Sequence, residues 1–313
     1  HEAETATGEN FPVTYTLTID IAKDEEVKNI ELVDLLPDNL DYIEGSITST
    51  LAYDSFDAPE YSAGNNTLTL TWDGPVTGVE ADNDIVVTYR AFVPEKELDG
   101  NTLILDPNTG DDTTSTNNAE VKAKYDNDDS DITPMIDVGD TDNFTLNDRS
   151  IAIQKYVDNV TDDKNTPGDI LEYTLDFQVS DYFAFDDIEL EDMLSDGQEF
   201  LNTFVPVLQI EEESQTLAET QFDIGNFSVT EINSGQDAGK TRIIFDLSSE
   251  MNRHSGWDEI LKGDDYKTDS HGGGGTVGYI KFRARILEEF KYDYPSGDPS
   301  VDSGDALDNT VTI

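Results

Sequence analysis

"SIAIQKYVDNVTDDKNTPGDILEYTLDFQVSDYFAFDDIELEDMLSDGQ", Ser150 to Gln198, alternates apolar and polar residues in short runs, the mark of half-buried β-strands. Parts of it occur twice. "YTLDF" (Tyr173 to Phe177) matches "YTLTI" (Tyr15 to Ile19), and "IELEDMLSD" (Ile188 to Asp196) matches "IELVDLLPD" (Ile30 to Asp38). Tyr15 lies 158 residues before Tyr173, and Asp34 lies 158 before Asp192. Two blocks at one offset make an internal repeat. Further on, "VTYRAFV" (Val87 to Val93) resembles "IKFRARI" (Ile280 to Ile286), now 193 residues apart. "NNAEV" (Asn117 to Val121) resembles "DNTVT" (Asp308 to Thr312), which pairs Asn118 with Asn309. The wider offset gives the second copy extra residues around 197–275, a stretch that includes "HGGGG" (His271 to Gly275).

Both copies keep a period of two. Tyr15, Leu17 and Ile19 share a face, as do Ile30 and Leu32, Leu68 and Leu70, and Val87, Tyr89 and Ala91. Turn signals separate the runs: "LPDN" at 36–39, "AGNN" at 63–66 and "WDGP" at 72–75. Sustained helical periodicity is nearly absent, with room for a turn or two within 249–261. The expected fold is all-β: two tandem immunoglobulin-like antiparallel β-sandwiches. Residues 1–125 form the first, 126–148 an acidic linker, and 149–313 the second.

The copies differ at their beginnings. The second opens with a strand, "SIAIQKYV" (Ser150 to Val157), before its Pro167-Gly168-Asp169 turn. The first has only "HEAETAT" before Gly8, which is a poor apolar strand. The first sandwich is therefore expected to lack its first strand. That leaves an open edge, to be filled by a neighbouring subunit or by another part of a longer chain. The opening His1-Glu2-Ala3 reads as a processed product or an excerpt.

Asp and Glu number 69 against 18 Lys and Arg, for a net charge of -51. Nucleic acid and anionic membrane surfaces call for the opposite sign. Two readings of the acidity stay open: oxygen ligands for Ca²⁺, or a surface suited to high salt. The Ca²⁺ candidates are Asp126, Asp128 and Asp131 of "DNDDSD", although this run lacks the Gly and distal Glu of an EF-hand loop. With no cysteine there are no disulfides and no thiolate metal sites. No apolar run approaches the ~18 residues of a membrane span.

One lysine stands out. In "IAIQKYV", Ile151, Ile153, Lys155 and Val157 fall on one face, so inward isoleucines bring Lys155 inward with them. A buried ammonium tends to lose its proton, and a neutral amine is a nucleophile. The plainer alternative has Lys155 snorkelling to the edge, Asp192 capping a turn and Asn309 ending a strand.

The Pro-Gly-Asp turn, Tyr-Thr-Leu, Asp-x-Leu and the closing Asn-x-x-Val resemble the tandem immunoglobulin-like repeats of large prokaryotic surface proteins. They are also similar to the isopeptide-forming domains of Gram-positive pilins and fimbrial adhesins. That resemblance implies a Lys on the first strand joined to an Asn on the last, promoted by an acid. It assigns Lys155 as nucleophile, Asn309 as acceptor and Asp192 as acid, with Glu172 as a stand-in acid. The repeat-one equivalents are Asp34 and Asn118, with no lysine in this copy's corresponding strand.

Enzyme signatures are missing. His1, His254 and His271 sit in no zinc motif and near no Gly-x-Ser-x-Gly serine. With so many acids, no pair can be singled out as a glycosidase dyad. "HSGWDE" (His254 to Glu259) offers one Trp, a sugar platform or plain packing. The expected role is an extracellular, cell-surface structural segment of a filament, fimbria or adhesin stalk that self-associates or joins neighbouring domains. The alternative is a Ca²⁺-aided module binding glycan or protein through loops of the second domain.

Overall fold

The structure is a computed structural model that describes residues 4–59, 66–79, 83–106, 113–125, 136–162, 164–213, 215–264, 274–292 and 297–313. Among the described residues it is all-β apart from one short helix, and the chain divides into two compact units, Glu2–Ser150 and Ile151–Ile313.

In the first unit, β1 (Glu4–Ala6), β3 (Glu26–Leu35), β4 (Thr67–Trp72), β6 (Thr113–Tyr125) and β7 (Ile136–Arg149) build one sheet in the order β1-β7-β6-β3-β4. The facing sheet is built on β2 (Val13–Ile19) and β5 (Ile85–Phe92). Alternation does the sorting: Ile30, Leu32, Leu68, Leu70 and Trp72 from one sheet meet Tyr15, Ile85, Val87, Tyr89 and Ala91 from the other in the core.

In the second unit, β8 (Ile151–Asn159), β9 (Ile170–Val179), β11 (Val207–Glu212), β12 (Gln215–Gln221) and β15 (Thr276–Ile286) follow the order β8-β9-β15-β11-β12. Opposite lie β10 (Glu189–Leu194), β13 (Phe227–Glu231), β14 (Thr241–Asp246) and β16 (Thr310–Thr312), in the order β13-β14-β10-β16. Phe177, Phe245 and Phe282 fill the centre. The helix α1 (Leu247–Asn252) is capped by Asp246, whose carboxylate accepts from Ser249 N at 2.8 Å.

The repeat is structural. β2 pairs β5 as β9 pairs β15, and β3 takes β4 and β6 on its two edges as β10 takes β14 and β16. Asn29 and Asp187, at the common offset, both have left-handed φ, 50° and 51°, just before the matching Ile30 and Ile188. Short polar side chains tolerate that conformation better than most.

Three expectations change. Residues 136–149 are not linker: they form β7, paired with β6 from Ile136 to Asp148. Residues 136–145 of β7 are all exposed, so no buried face wrote a strand pattern into the sequence there. The 197–275 region contributes β11 to β14 to the two sheets: β11 occupies the edge of β15, where among the described residues the first unit has the short pairs Asp41–Tyr42 and Thr48–Ser49 beside β5. Within "HGGGG", residues 271–273 lie outside the described residues. Finally, "ETA" does form a strand, but β1 runs parallel to β7 in the other sheet and leaves β2 untouched. Among the described residues no strand covers the outer edge of β2, whereas β8 covers that edge of β9.

Candidate functional site

β8 is nine residues long and antiparallel to β9, with Lys155 opposite Leu175. Ile151 and Ile153 pack on the core and carry Lys155 inward, where its side chain is 12% exposed. Val157, expected on the same face, is exposed. Asp192 comes from the facing sheet, with its side chain fully buried. The Lys155 ammonium and the Asp192 carboxylate are in direct contact. The Lys155 Nζ also lies over the Tyr173 and Phe282 rings, 4.6 and 5.7 Å from their centroids.

Asn309 precedes β16, whose Val311 pairs with Asp192. Its amide lies against Asp192 and Tyr173. Yet neither Asn309 Oδ1 nor Nδ2, both buried, has a hydrogen bond of proper geometry, and the same holds for Asp192 Oδ1. Unmatched polar atoms of this kind are costly in a core and mark a site of tension or chemistry. The expectation that Lys155 snorkels to the edge does not describe this geometry. Glu172 is not available as a substitute acid, because Arg283 holds its carboxylate at 2.7 Å.

The electrostatics follow from burial. Desolvation pulls Lys155 down to about 8, against the upward pull of Asp192. Desolvation pushes Asp192 up to about 6, against the pull of Lys155 and Asn309. Each group is moved toward its neutral form, so the amine and the carboxylic acid come within reach of neutral pH.

This pairing gives a prediction for Asn309→Ala, a variant in which Lys155 must stay an amine. Asp192 binds its proton more tightly folded than unfolded, so stability falls as pH rises from about 4 to about 6. Lys155 binds its proton less tightly folded than unfolded, so stability recovers as pH rises from about 8 toward about 10.5. Denaturant titrations should show the upper limb as a gain of about 3 kcal/mol. A chain whose Lys155 is already an amide should not show it.

The first unit holds the matching acid. Asp34 is fully buried, and desolvation pushes it up to about 6. Its neighbour is Asn117, not Asn118. Asp34 pairs with Ala119 as Asp192 pairs with Val311, and the residue two places earlier is Asn117 in one case and Asn309 in the other. Asn118 faces solvent. Tyr89 Oη donates to Asp34 Oδ2 at 2.7 Å and accepts from Asn117 Nδ2 at 2.8 Å. Tyr89 stacks on Tyr15 at 5.3 Å, as Phe282 stacks on Tyr173 at 5.2 Å. Tyr89 was not singled out for this role, since alternation marks it only as a core position.

The other candidates resolve simply. Asp126, Asp128 and Asp131 lie outside the described residues, and among the described residues no cluster of His and acids is placed to hold a metal. Trp257 packs partly buried against the core, and His254 lies 3.2 Å from buried Glu250. Among the described residues no helix is long and apolar enough to cross a membrane.

No protein-family model matches the chain, and no curated protein matches it. Several solved structures are similar. One is the collagen binding subdomain of the Enterococcus faecalis surface protein ACE, at 13% identity and TM-score 0.27, over 47% of this chain and 93% of that one. Another is the T6 backbone pilin of Streptococcus pyogenes serotype M6, at 13% identity and TM-score 0.23, over 99% of this chain and 64% of that one. A third is the collagen adhesin of S. aureus, at 10% identity and TM-score 0.24, over 99% and 88%.

Proposed function

We propose that this chain is a load-carrying segment of an extracellular surface filament or adhesin stalk. In this reading its second unit is locked by an amide between Lys155 and Asn309, and its first is completed by a strand from a neighbour. The observation that carries the reading is the meeting of Lys155, Asp192 and Asn309 in one core, with the Asn309 amide unmatched. The neutral Lys155 amine attacks Asn309 Cγ while protonated Asp192 donates to the amide oxygen. A new C–N bond forms, the Cγ–Nδ2 bond breaks, and the amine's proton passes through Asp192 to the departing nitrogen, which leaves as ammonia. Folding supplies the proximity, so no external catalyst is required.

Lys155 lies in one sheet and Asn309 beside the other, so the bond would cross the core and tie the unit's first strand to its last. This gives mechanical strength to a chain without cysteine.

Proteolysis tests the reading. A digest of the wild-type chain should contain a branched peptide joining the Lys155 segment to the Asn309 segment, and the Asp192→Ala digest should not. Two linear peptides from the wild type would overturn the reading.

A further inference from the structure

The open flank of β2 is a trough with acceptor chemistry at its floor. A cavity of about 340 Å³ runs between β2 and the β6–β7 ribbon, lined by Val13, Tyr15, Leu17, Asn117, Phe144 and Leu146 among others. A second, of about 430 Å³, continues past Ile19 and Ile21. In the second unit β8 pairs with residues 171–179, and at the repeat offset these match 13–21, the stretch along which the two cavities lie. Leu175, under β8, is fully buried, while its counterpart Leu17 is only partly so.

We propose that this trough binds an extended β-strand of another polypeptide and that a lysine on that strand, placed opposite Leu17, becomes covalently joined to Asn117. The proposal rests on the strand-completion reading above and adds to it the residue and the bond. The acceptor is in place. Asn117 is 3% exposed, lines the trough and has no partner for Oδ1. Asp34 Oδ1 and Tyr15 Oη are buried and equally unmatched. An entering lysine would find these oxygens where Lys155 finds Asp192 and Asn309. Apolar residues two and four places before the lysine would cover the β2 side of the core, as Ile151 and Ile153 do.

The reaction balances within the two chains. The neutral amine adds to Asn117 Cγ, and the Cγ–Nδ2 bond breaks. The amine's proton reaches the departing nitrogen through Asp34 and Tyr89, which already touches both Asp34 and Asn117. Ammonia is the only product released.

The probe is a synthetic peptide of Ser150 to Asn159, SIAIQKYVDN, added to the full chain. Denatured mass spectrometry should show chain plus peptide less one ammonia, with the branch mapped to Asn117. The adduct should disappear with the chain variant Asn117→Ala, and equally with a peptide carrying Lys155→Arg, which leaves the protein unaltered. Peptide that binds, by fluorescence anisotropy, without losing ammonia overturns the covalent inference while leaving strand completion standing. Peptide that does not bind overturns both. An adduct that survives Asn117→Ala places the acceptor elsewhere and overturns the assignment.

Discussion

Pulled by its two ends in a force spectrometer, the wild-type chain should never release the length held between Lys155 and Asn309. The two residues are 154 positions apart in sequence. At about 3.4 Å per extended residue, the withheld contour is about 500 Å. Force entering β8 would reach the amide after four residues and leave through β16, so the sheets between would carry almost none of it. With Asp192→Ala the carboxyl that activates the amide is gone, and the full length should appear in one cooperative event. The first unit is the internal reference: its length should be released in both chains. Equal contour lengths for wild type and variant would mean that the second unit is held by hydrogen bonds alone.

The second large effect is thermodynamic. Lys155→Ala removes the nucleophile and leaves Asp192 in the core without its partner. By analogy with a disulfide closing a loop of this length, the lost constraint on the unfolded chain is worth about 5 kcal/mol. The abandoned carboxyl costs about 1–3 kcal/mol more. For a unit of this size the sum corresponds to a fall in Tm of roughly 15–25 °C. Asp192→Asn separates the contributions. It prevents the bond but keeps a hydrogen-bonding group beside Lys155, so it should lose the loop term and less of the rest. Calorimetry on the three chains decides the matter, and a Lys155→Ala chain within a degree or two of wild type would show that no crosslink is lost.

Lys155 was legible in the sequence because strand alternation fixes which side chains enter a core, and the second copy carries that alternation through Ile151, Ile153 and Lys155. Asp192 was reached only through resemblance, and so was Asn309. Its counterpart was misread by one position because Asn117 and Asn118 are adjacent, and a short match cannot tell neighbours apart. Pairing does so at once, since a shift of one residue turns an inward side chain outward. β7 was illegible for a different reason. Residues 136–145 bury nothing, so Asp137, Asp140 and Asp142 gave this strand the composition of a linker. Tyr89 read as one more aromatic of the core. Only the position of its hydroxyl, between Asp34 and Asn117, separates it from Phe282.

Both units share one arrangement: a buried acid on a strand, and an Asn two places before the residue that pairs with it. The second unit brings Lys155 to this pair from its own β8, whereas among the described residues no strand covers the matching flank of the first.

The intact mass of a chain with this 313-residue sequence, taken after full denaturation, tests the proposed amide without intermediaries. A value one ammonia below the mass calculated for the linear chain, restored by Lys155→Ala once the side-chain difference is counted, is the predicted result. A wild-type mass equal to the calculated one would contradict it.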